Sequence, residues 1–141
     1  MIVATFSSRT QTTLGLFFFS CSLLGCGRGP ESIVGKAFDA FHENDSNGVN
    51  DVMSQQGLAN AALYCGGAAI NCLGQNYAGR GDTNGVSTEL RSQLDTSAEV
   101  ELRTTWSAIQ GEYCQTYKLD KTDAGWRISF FDVPSLCTSP P

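Results

Sequence analysis

Apolar and polar residues follow two different periods along this chain. Between residues 31 and 44, apolar side chains recur three and four positions apart. Their positions are Ile33, Val34, Ala37, Phe38 and Phe41. This spacing gathers them on one side of a helix, so the segment predicts an amphipathic helix. Pro30 and Glu31 suit its start, because the first turn does not use the missing N–H of proline and an acid faces the positive end of the helix dipole.

The region after this helix predicts shorter elements. Residues 44–48, Asn-Asp-Ser-Asn-Gly, are turn formers and predict the end of the helix. Short helices are expected at residues 50–55 and 58–64, with Gly57 between them. The segment from residue 65 to residue 85 is rich in glycine and predicts turns.

Beyond Gly85 the period becomes two. Residues 86–94 alternate between apolar and polar, although Val86, Leu90 and Leu94 also fit helical spacing. We interpret this segment as a strand. The next alternating run is clearer. It places Val100, Leu102, Thr104 and Trp106 on one face and Glu99, Glu101 and Arg103 on the other.

Two further strands are predicted, at residues 112–119 and 126–133. The segment between them, Asp-Lys-Thr-Asp-Ala-Gly, has the composition of a hairpin turn. Their apolar faces, expected to stack over the helices, comprise Tyr113, Tyr117 and Leu119 on one strand and Trp126, Ile128 and Phe130 on the other. Helices followed by antiparallel strands predict an α+β fold, with N-terminal helices packed on a sheet of three to four strands.

The start of the chain predicts a secretion signal. Residues 14–24, LGLFFFSCSLL, form an uncharged apolar run preceded by Arg9. That length suits a signal peptide and is too short to span a bilayer, which needs about 20 apolar residues. Residues 23–26, Leu-Leu-Gly-Cys, resemble the bacterial lipobox, which implies cleavage before Cys26 and acylation of that cysteine. The alternative is an ordinary signal peptide in which Cys26 is incidental.

These features divide the chain into four predicted regions. They are a lipoprotein signal peptide at 1–25, a lipid-anchored tether at 26–30, an α+β domain at 31–137 and a tail at 138–141. Because Gly27, and not an Asp, follows the lipidated cysteine, we expect attachment to the outer membrane of a bacterial envelope, facing the periplasm. The membrane, reached through the N-terminal lipid, is therefore one expected partner.

Charge and histidine content exclude several functions. The chain has 9 basic and 14 acidic residues, a net charge of −5. Nucleic acid is not an expected partner, because binding phosphates needs clustered Lys and Arg. With one histidine and no CxxC pair, we expect no metal site. No Gly-rich phosphate loop or Ser–His–Asp set stands out, and we expect no cofactor.

Four cysteines remain after the signal and the lipid site are set aside. An even number in a secreted chain predicts disulfides, and four cysteines allow three pairings. We favour Cys65–Cys72, which closes a Gly-rich loop, together with Cys114–Cys137, which ties the C-terminal segment to the sheet.

Several short segments together resemble the nuclear-transport-factor-2-like superfamily, and more narrowly the small bacterial lipoproteins of domain-of-unknown-function family 4878. The matching segments are residues 32–34 with Phe38 and Phe41, residues 65–67 (Cys-Gly-Gly), residues 98–102 (AEVEL) and residues 123–128 (DAGWRI). The resemblance implies a cone, in which a curved antiparallel sheet wraps a long helix and leaves a cavity at its wide end. Family enzymes commonly place an Asp–His or Tyr–Asp set there, and this chain has no convincing equivalent.

An aromatic set could line such a cavity or fill the core. The pocket-lining candidates are Phe38, Phe41, Trp106, Tyr113, Tyr117, Trp126 and Phe130. The sequence favours a non-enzymatic envelope module that binds a small apolar ligand or an envelope protein. The alternative is a small hydrolase, isomerase or dehydratase in which His42 acts as a general base with a nearby Asp. Against that, His42 could simply be an exposed residue in the last turn of the helix.

Overall fold

The computed structural model describes residues 29–138 of the chain. Four helices precede five strands: α1 Pro30–His42, α2 Ser46–Asp51, α3 Gln55–Cys65, α4 Ala69–Tyr77, β1 Thr83–Gln93, β2 Ser97–Trp106, β3 Glu112–Thr122, β4 Gly125–Phe131 and β5 Ser135–Leu136. The predicted α+β class is confirmed. The predicted signal peptide and the lipidation site Cys26 lie outside the described residues. None of the helices within them is long and apolar enough to cross a membrane.

One curved, open antiparallel sheet carries the helices on its concave face. Its strand order is β1-β2-β3-β4, and the short β5 pairs with β3. Burial alternates without a break along β2, as the sequence predicted. The buried inner side chains are Ala98, Val100, Leu102, Thr104 and Trp106. Because alternate side chains point to opposite faces, this register commits β2 to one core face and one outer face.

Helix α1 buries the predicted apolar face. Ile33, Val34, Ala37 and Phe38 are all buried. The helix contacts β1, β2 and β4, so it lies across the concave side of the sheet. It ends at His42, two residues before the predicted end, and Asn44 follows in the left-handed region at a φ of 55°.

The region between α1 and the sheet is more helical than predicted. Helix α2 begins at Ser46, within the predicted turn 44–48, and overlaps the start of the short helix predicted at 50–55. The Asp45 side chain caps it by accepting from the N–H of Gly48. The segment 65–85 was predicted to consist of turns, and this is wrong, since it contains α4. The buried residues of α4 are Ala69, Cys72, Leu73 and Tyr77, a helical stripe among polar and small residues.

Strand β4 contains an irregularity that changes which side chains are buried. Lys118 pairs with Phe130 and Leu119 pairs with Ile128, so Ser129 is an extra residue on β4. Such a bulge reverses the alternation beyond it. The prediction that Phe130 shares a buried face with Trp126 and Ile128 is therefore wrong: Ile128 is fully buried and Phe130 is 37% exposed.

Both favoured disulfides are confirmed. Cys65–Cys72 joins the end of α3 to α4, with Cα atoms 5.3 Å apart. Cys114–Cys137 ties the C-terminal segment to β3, with Cα atoms 4.9 Å apart. These distances are ordinary for disulfides. Each bridge therefore joins two elements that already contact each other, α3 with α4 and the C-terminal segment with β3.

Paired charges cover the outer face of the sheet. Glu101 accepts from Arg91 at 2.6 Å and lies 2.8 Å from Arg103. Arg103 also pairs with Glu112 at 3.2 Å. Desolvation alone would raise the pKa of the Glu101 carboxyl, but the hydrogen bond from Arg91 and the charges of both arginines outweigh it and lower the pKa.

Candidate functional site

An open cleft lies at the end of the sheet where β1 begins and β2 ends. We call it the rim cleft; its volume is about 780 Å³. The end of α1, the end of α4, the start of β1 and the end of β2 form it. Its lining residues are Phe38, Asp39, Phe41, His42, Glu43, Tyr77, Gly81, Asp82, Thr83, Asn84, Gly85, Val86 and Trp106. Pairing of Thr83 with Trp106 brings the two strand ends together there.

Four aromatic rings form the bottom of the rim cleft. The Tyr77 ring centroid lies 5.1 Å from Trp106, 5.2 Å from Phe41 and 5.6 Å from Phe38. Phe38, Tyr77 and Trp106 are each less than 7% exposed, whereas Phe41 is half-buried. The rings therefore pack on one another and present only part of their surface to the cleft.

Below this floor the concave side of the sheet is filled. The Tyr77 and Tyr117 hydroxyls both donate to the Gln115 side-chain oxygen, and the Gln115 amide donates to the Asp132 carbonyl at 2.6 Å. Tyr117 is fully buried. Every polar group of this network has a partner, so buried tyrosines are tolerated there.

Both buried tyrosines are held in the neutral state. Burial raises the pKa of the Tyr77 phenol well above its ordinary value, against smaller opposing effects of the Tyr117 hydroxyl and the Arg80 charge. Burial also raises the pKa of Tyr117, and its contact with Tyr77 acts in the same direction. Neither phenol can serve as a proton acceptor at neutral pH.

His42 lies at the rim, exposed, over the aromatic floor. Its Nε2 atom lies 3.0 Å from the Thr83 hydroxyl, and its ring stacks on Trp106 with centroids 6.3 Å apart. No carboxylate of the described residues hydrogen-bonds to the imidazole. The structure thus brings His42 to the cleft together with Asp39, as the alternative with a nearby Asp requires, but the hydrogen bond of the imidazole is to the Thr83 hydroxyl.

The remaining charges of the rim cleft are acidic. Asp39 and Glu43 project from the end of α1, and Asp82 precedes β1; all three are exposed. The loop that carries Asp82 is fixed, since its N–H donates to the Ser107 hydroxyl and its carbonyl accepts from the Ser107 N–H, both at 2.8 Å. Gly81, at a φ of 78°, supplies the left-handed backbone that this approach requires.

Only part of the predicted aromatic set lines this cleft. Phe38, Phe41 and Trp106 do. Tyr117 and Trp126 are core residues, because their strands point them into the packed interior. Tyr113 is half-buried beneath the Arg80 guanidinium, whose central carbon lies 4.4 Å from the ring centroid.

Phe130 lines a different groove, which sequence reasoning missed. This groove, of about 490 Å³, lies between α3, α4 and the end of β4. Besides Phe130, exposed Tyr64 and Val133 and the Cys65–Cys72 disulfide border it. The bulge at Ser129 delivers Phe130 there, and period-two patterning cannot register a bulge.

Other residues of the rim cleft were also absent from the prediction. Tyr77 belongs to α4, in a segment that its glycines predict to consist of turns, although the spacing of Ala69, Leu73 and Tyr77 indicates one face of a helix. Asp82 and Val86 reach the cleft because β1 pairs with β2, and the register of that pairing cannot be derived from the sequence pattern. Within residues 29–138, no group of three or more His, Cys, Asp or Glu side chains is gathered for a metal ion.

Comparisons with family models, with curated proteins and with solved structures each found no match to this chain.

Proposed function

We propose that this chain is a lipid-anchored protein of the bacterial envelope whose α+β domain is a non-enzymatic module that binds a small ligand in the rim cleft. Cys26 carries the lipid, and the domain faces the periplasm from the outer membrane. The single observation that carries the binding role is the open cleft of about 780 Å³ with an aromatic floor. Concave sites with apolar walls and a few polar groups are the usual form of ligand pockets.

The packed interior supports a binding site in the rim cleft and not deeper on the concave side of the sheet. Tyr77, Gln115 and Tyr117 occupy the concave side and satisfy one another's hydrogen bonds. A ligand in that space would have to displace this network and leave buried polar groups unpaired, which costs about 1–3 kcal/mol for each group. The rim cleft requires no such displacement.

The lipid anchor is tested by metabolic labelling. The full chain is expressed in a Gram-negative host with an alkynyl fatty acid, and the label is detected after purification. We expect wild type and Cys21→Ala to be labelled and Cys26→Ala to lose the label, since only Cys26 follows the lipobox residues. Label retained by Cys26→Ala would contradict the anchor.

The binding site is tested by blocking the rim cleft. Val86 is 51% exposed and lines the cleft, whereas Val133 is 72% exposed and borders the other groove. Native mass spectrometry of the detergent-solubilised protein should detect a co-purified small molecule in wild type and Val133→Trp but not in Val86→Trp. Equal occupancy in both variants would place the ligand elsewhere, and an empty wild-type protein would oppose the binding role.

A second candidate function, hydrolysis, isomerisation or dehydration with His42 as base, is favoured by the position of His42 beside the cleft. The hydrogen bonding of His42 argues against this role. A catalytic base is usually oriented by a third group, but no described residue hydrogen-bonds to Nδ1 of His42, and its Nε2 contacts the Thr83 hydroxyl. If the domain is an enzyme, His42→Gln should abolish turnover in a screen of ester and hydroxyacyl substrates. Binding in the native mass spectrum should survive the same substitution under the favoured proposal.

A further inference from the structure

We infer that the rim cleft selects an organic cation that carries an apolar body, so that the cationic group meets the acidic rim and the body lies on the aromatic floor. This inference rests on the proposed binding function and specifies its ligand class. It refines the expectation of a purely apolar ligand, because the lining residues carry a strong charge bias.

The charge bias has one sign. Asp39, Glu43 and Asp82 line the rim cleft, and no Lys or Arg of residues 29–138 does. The basic residues nearest in sequence, Lys36 and Arg80, are not among the lining residues. The Arg80 guanidinium covers Tyr113, and its Nε donates to the Asn76 carbonyl at 2.8 Å. None of the three carboxylates forms an ion pair with a basic residue among the described residues.

The unpaired carboxylates of the rim cleft contrast with the paired carboxylates on the outer face of the same sheet. There Glu89, Glu101 and Glu112 are all paired with arginines. Unpaired carboxylates of one sign around a concave surface produce a negative potential that attracts cations and repels anions. A fatty acid or a phosphorylated compound is therefore disfavoured, while a protonated or quaternary amine is favoured.

The floor explains why the cation needs an apolar body. Phe41 is half-buried and Val86 is 51% exposed, so both offer apolar surface that a ligand can cover. Burying apolar area contributes about 25 cal/mol per Å². Three exposed carboxylates alone give only weak attraction, because each exposed ion pair contributes about 0.2–1 kcal/mol. An inorganic cation would gain nothing from the floor.

The two tryptophans of the chain provide a direct assay. Trp106 lines the rim cleft, and Trp126 lies on β4 beside the hairpin turn at the other end of the sheet. Selective ¹⁵N labelling of the indoles gives two NMR signals from the mature, acylated protein in nonionic detergent. The probes are phenyltrimethylammonium, its neutral isostere tert-butylbenzene and the anion benzenesulfonate. We expect phenyltrimethylammonium to shift the Trp106 indole signal at the lowest concentration and to leave Trp126 unchanged.

A charge-matched pair of variants isolates the acidic rim. Asp39→Asn/Glu43→Gln/Asp82→Asn removes three carboxylates from the cleft. Its control, Asp95→Asn/Asp120→Asn/Asp123→Asn, removes three exposed carboxylates from the two hairpins at the opposite end of the sheet, Asp95 and Asp123 in their turns and Asp120 near the end of β3. The rim variant should weaken phenyltrimethylammonium binding about tenfold and leave tert-butylbenzene unchanged, whereas the control should alter neither by more than about twofold.

The results with the three probes distinguish a wrong ligand class from a wrong binding function. If tert-butylbenzene or benzenesulfonate shifts Trp106 as strongly as the cation, the ligand class is wrong and the binding function stands. Equal weakening by the rim and control variants also overturns the ligand class, because only net charge would then matter. If none of the three probes shifts Trp106 at any soluble concentration, both the ligand class and the proposed function fail.

Discussion

A methyl group added at Gly57 should destabilise the fold, while the same change at Gly35 should stabilise it. Gly57 is buried in the first turn of α3, where the helix crosses β4. A Cβ there would collide with the Ile128 carbonyl oxygen and lie 2.9 Å from the end of the Met53 side chain. Gly35 lies in the middle of α1, and a Cβ there would meet nothing within 4 Å.

The change in unfolding free energy is the balance between a gain in helix propensity and the cost of steric overlap. Gly→Ala in a helix interior gains about 1 kcal/mol, which Gly35→Ala should deliver almost in full. At Gly57 the obstacle is backbone, so the helix or β4 must move, and overpacking costs about 1–3 kcal/mol. The same Ile128 carbonyl accepts from the Ser54 N–H at 2.8 Å, and weakening that bond adds about 1 kcal/mol. We expect Gly57→Ala to lose about 2 kcal/mol net.

Urea unfolding of the oxidised protein measures both changes, with Trp fluorescence as the signal. With a denaturant slope of about 1–2 kcal/mol per M, Gly57→Ala should lower the midpoint by about 1 M and Gly35→Ala should raise it by about half that. The double variant should show the sum, because the sites lie on different helices. A Gly57→Ala protein as stable as Gly35→Ala would refute the close approach of α3 to β4.

Three further perturbations have definite expected outcomes. Although desolvation opposes it, pairing with Arg91 and Arg103 lowers the pKa of Glu101, so this carboxylate stabilises the fold above its unfolded pKa and the contribution is lost as pH falls through its folded pKa. Glu101→Gln should therefore flatten the decline of Tm on acidification more than Glu99→Gln, a charge-matched control whose carboxylate pairs with no arginine of residues 29–138. Burial raises the pKa of Tyr77, so the neutral phenol stabilises the fold below about pH 10 and this contribution is lost as pH rises further. Tyr77→Phe should therefore cost about 1 kcal/mol of unfolding free energy at pH 7 and should make the loss of Tm above pH 10 shallower. Replacing Cys65 and Cys72 by Ala should cost about 2.5 kcal/mol of unfolding free energy, and an unchanged urea midpoint would speak against a stabilising bridge.

The strongest periodic signals in the sequence predicted the fold well. α1 and β2 bury the faces that their patterns indicate, because a helix and a strand each expose one face to a core whatever its details. The ambiguous segment 86–94 became part of β1, an edge strand. Even the least exposed residues of β1, Thr83, Thr88 and Leu90, are only half-buried, so burial along this edge strand does not alternate as clearly as along β2.

The predictions were wrong where glycines or a bulge interrupt a periodic pattern. Glycines at positions 66, 67 and 74 concealed α4, although the Cys65–Cys72 bridge and a stripe ending at Tyr77 support it. Ser129 shifted the register of β4 and turned Phe130 outward, and the Ser129 carbonyl is held by the Asn60 amide at 3.0 Å. That contact spans two elements, so no local pattern reveals it.

The rim cleft could be predicted only in part for a related reason. Phe38, Phe41 and His42 share the end of one helix, so helical spacing placed them together. The pairing of Thr83 with Trp106 then adds Asp82 and Val86, and this pairing depends on strand register and loop length. The three carboxylates of the site are thus divided between the end of α1 and the segment before β1, and only the strand pairing brings them to one cleft.

The location of the proposed binding site follows from how the concave face is filled. A curved sheet over a long helix leaves space at its wide end, and here Tyr77 enters that space from α4. A buried tyrosine needs a hydrogen-bond acceptor, and Gln115 supplies one to Tyr77 and to Tyr117 alike. Because these groups satisfy one another, a ligand that entered the concave side of the sheet would have to break their hydrogen bonds. The exposed rim, with its unpaired carboxylates, is therefore the part of this end that a ligand can reach without unfolding anything.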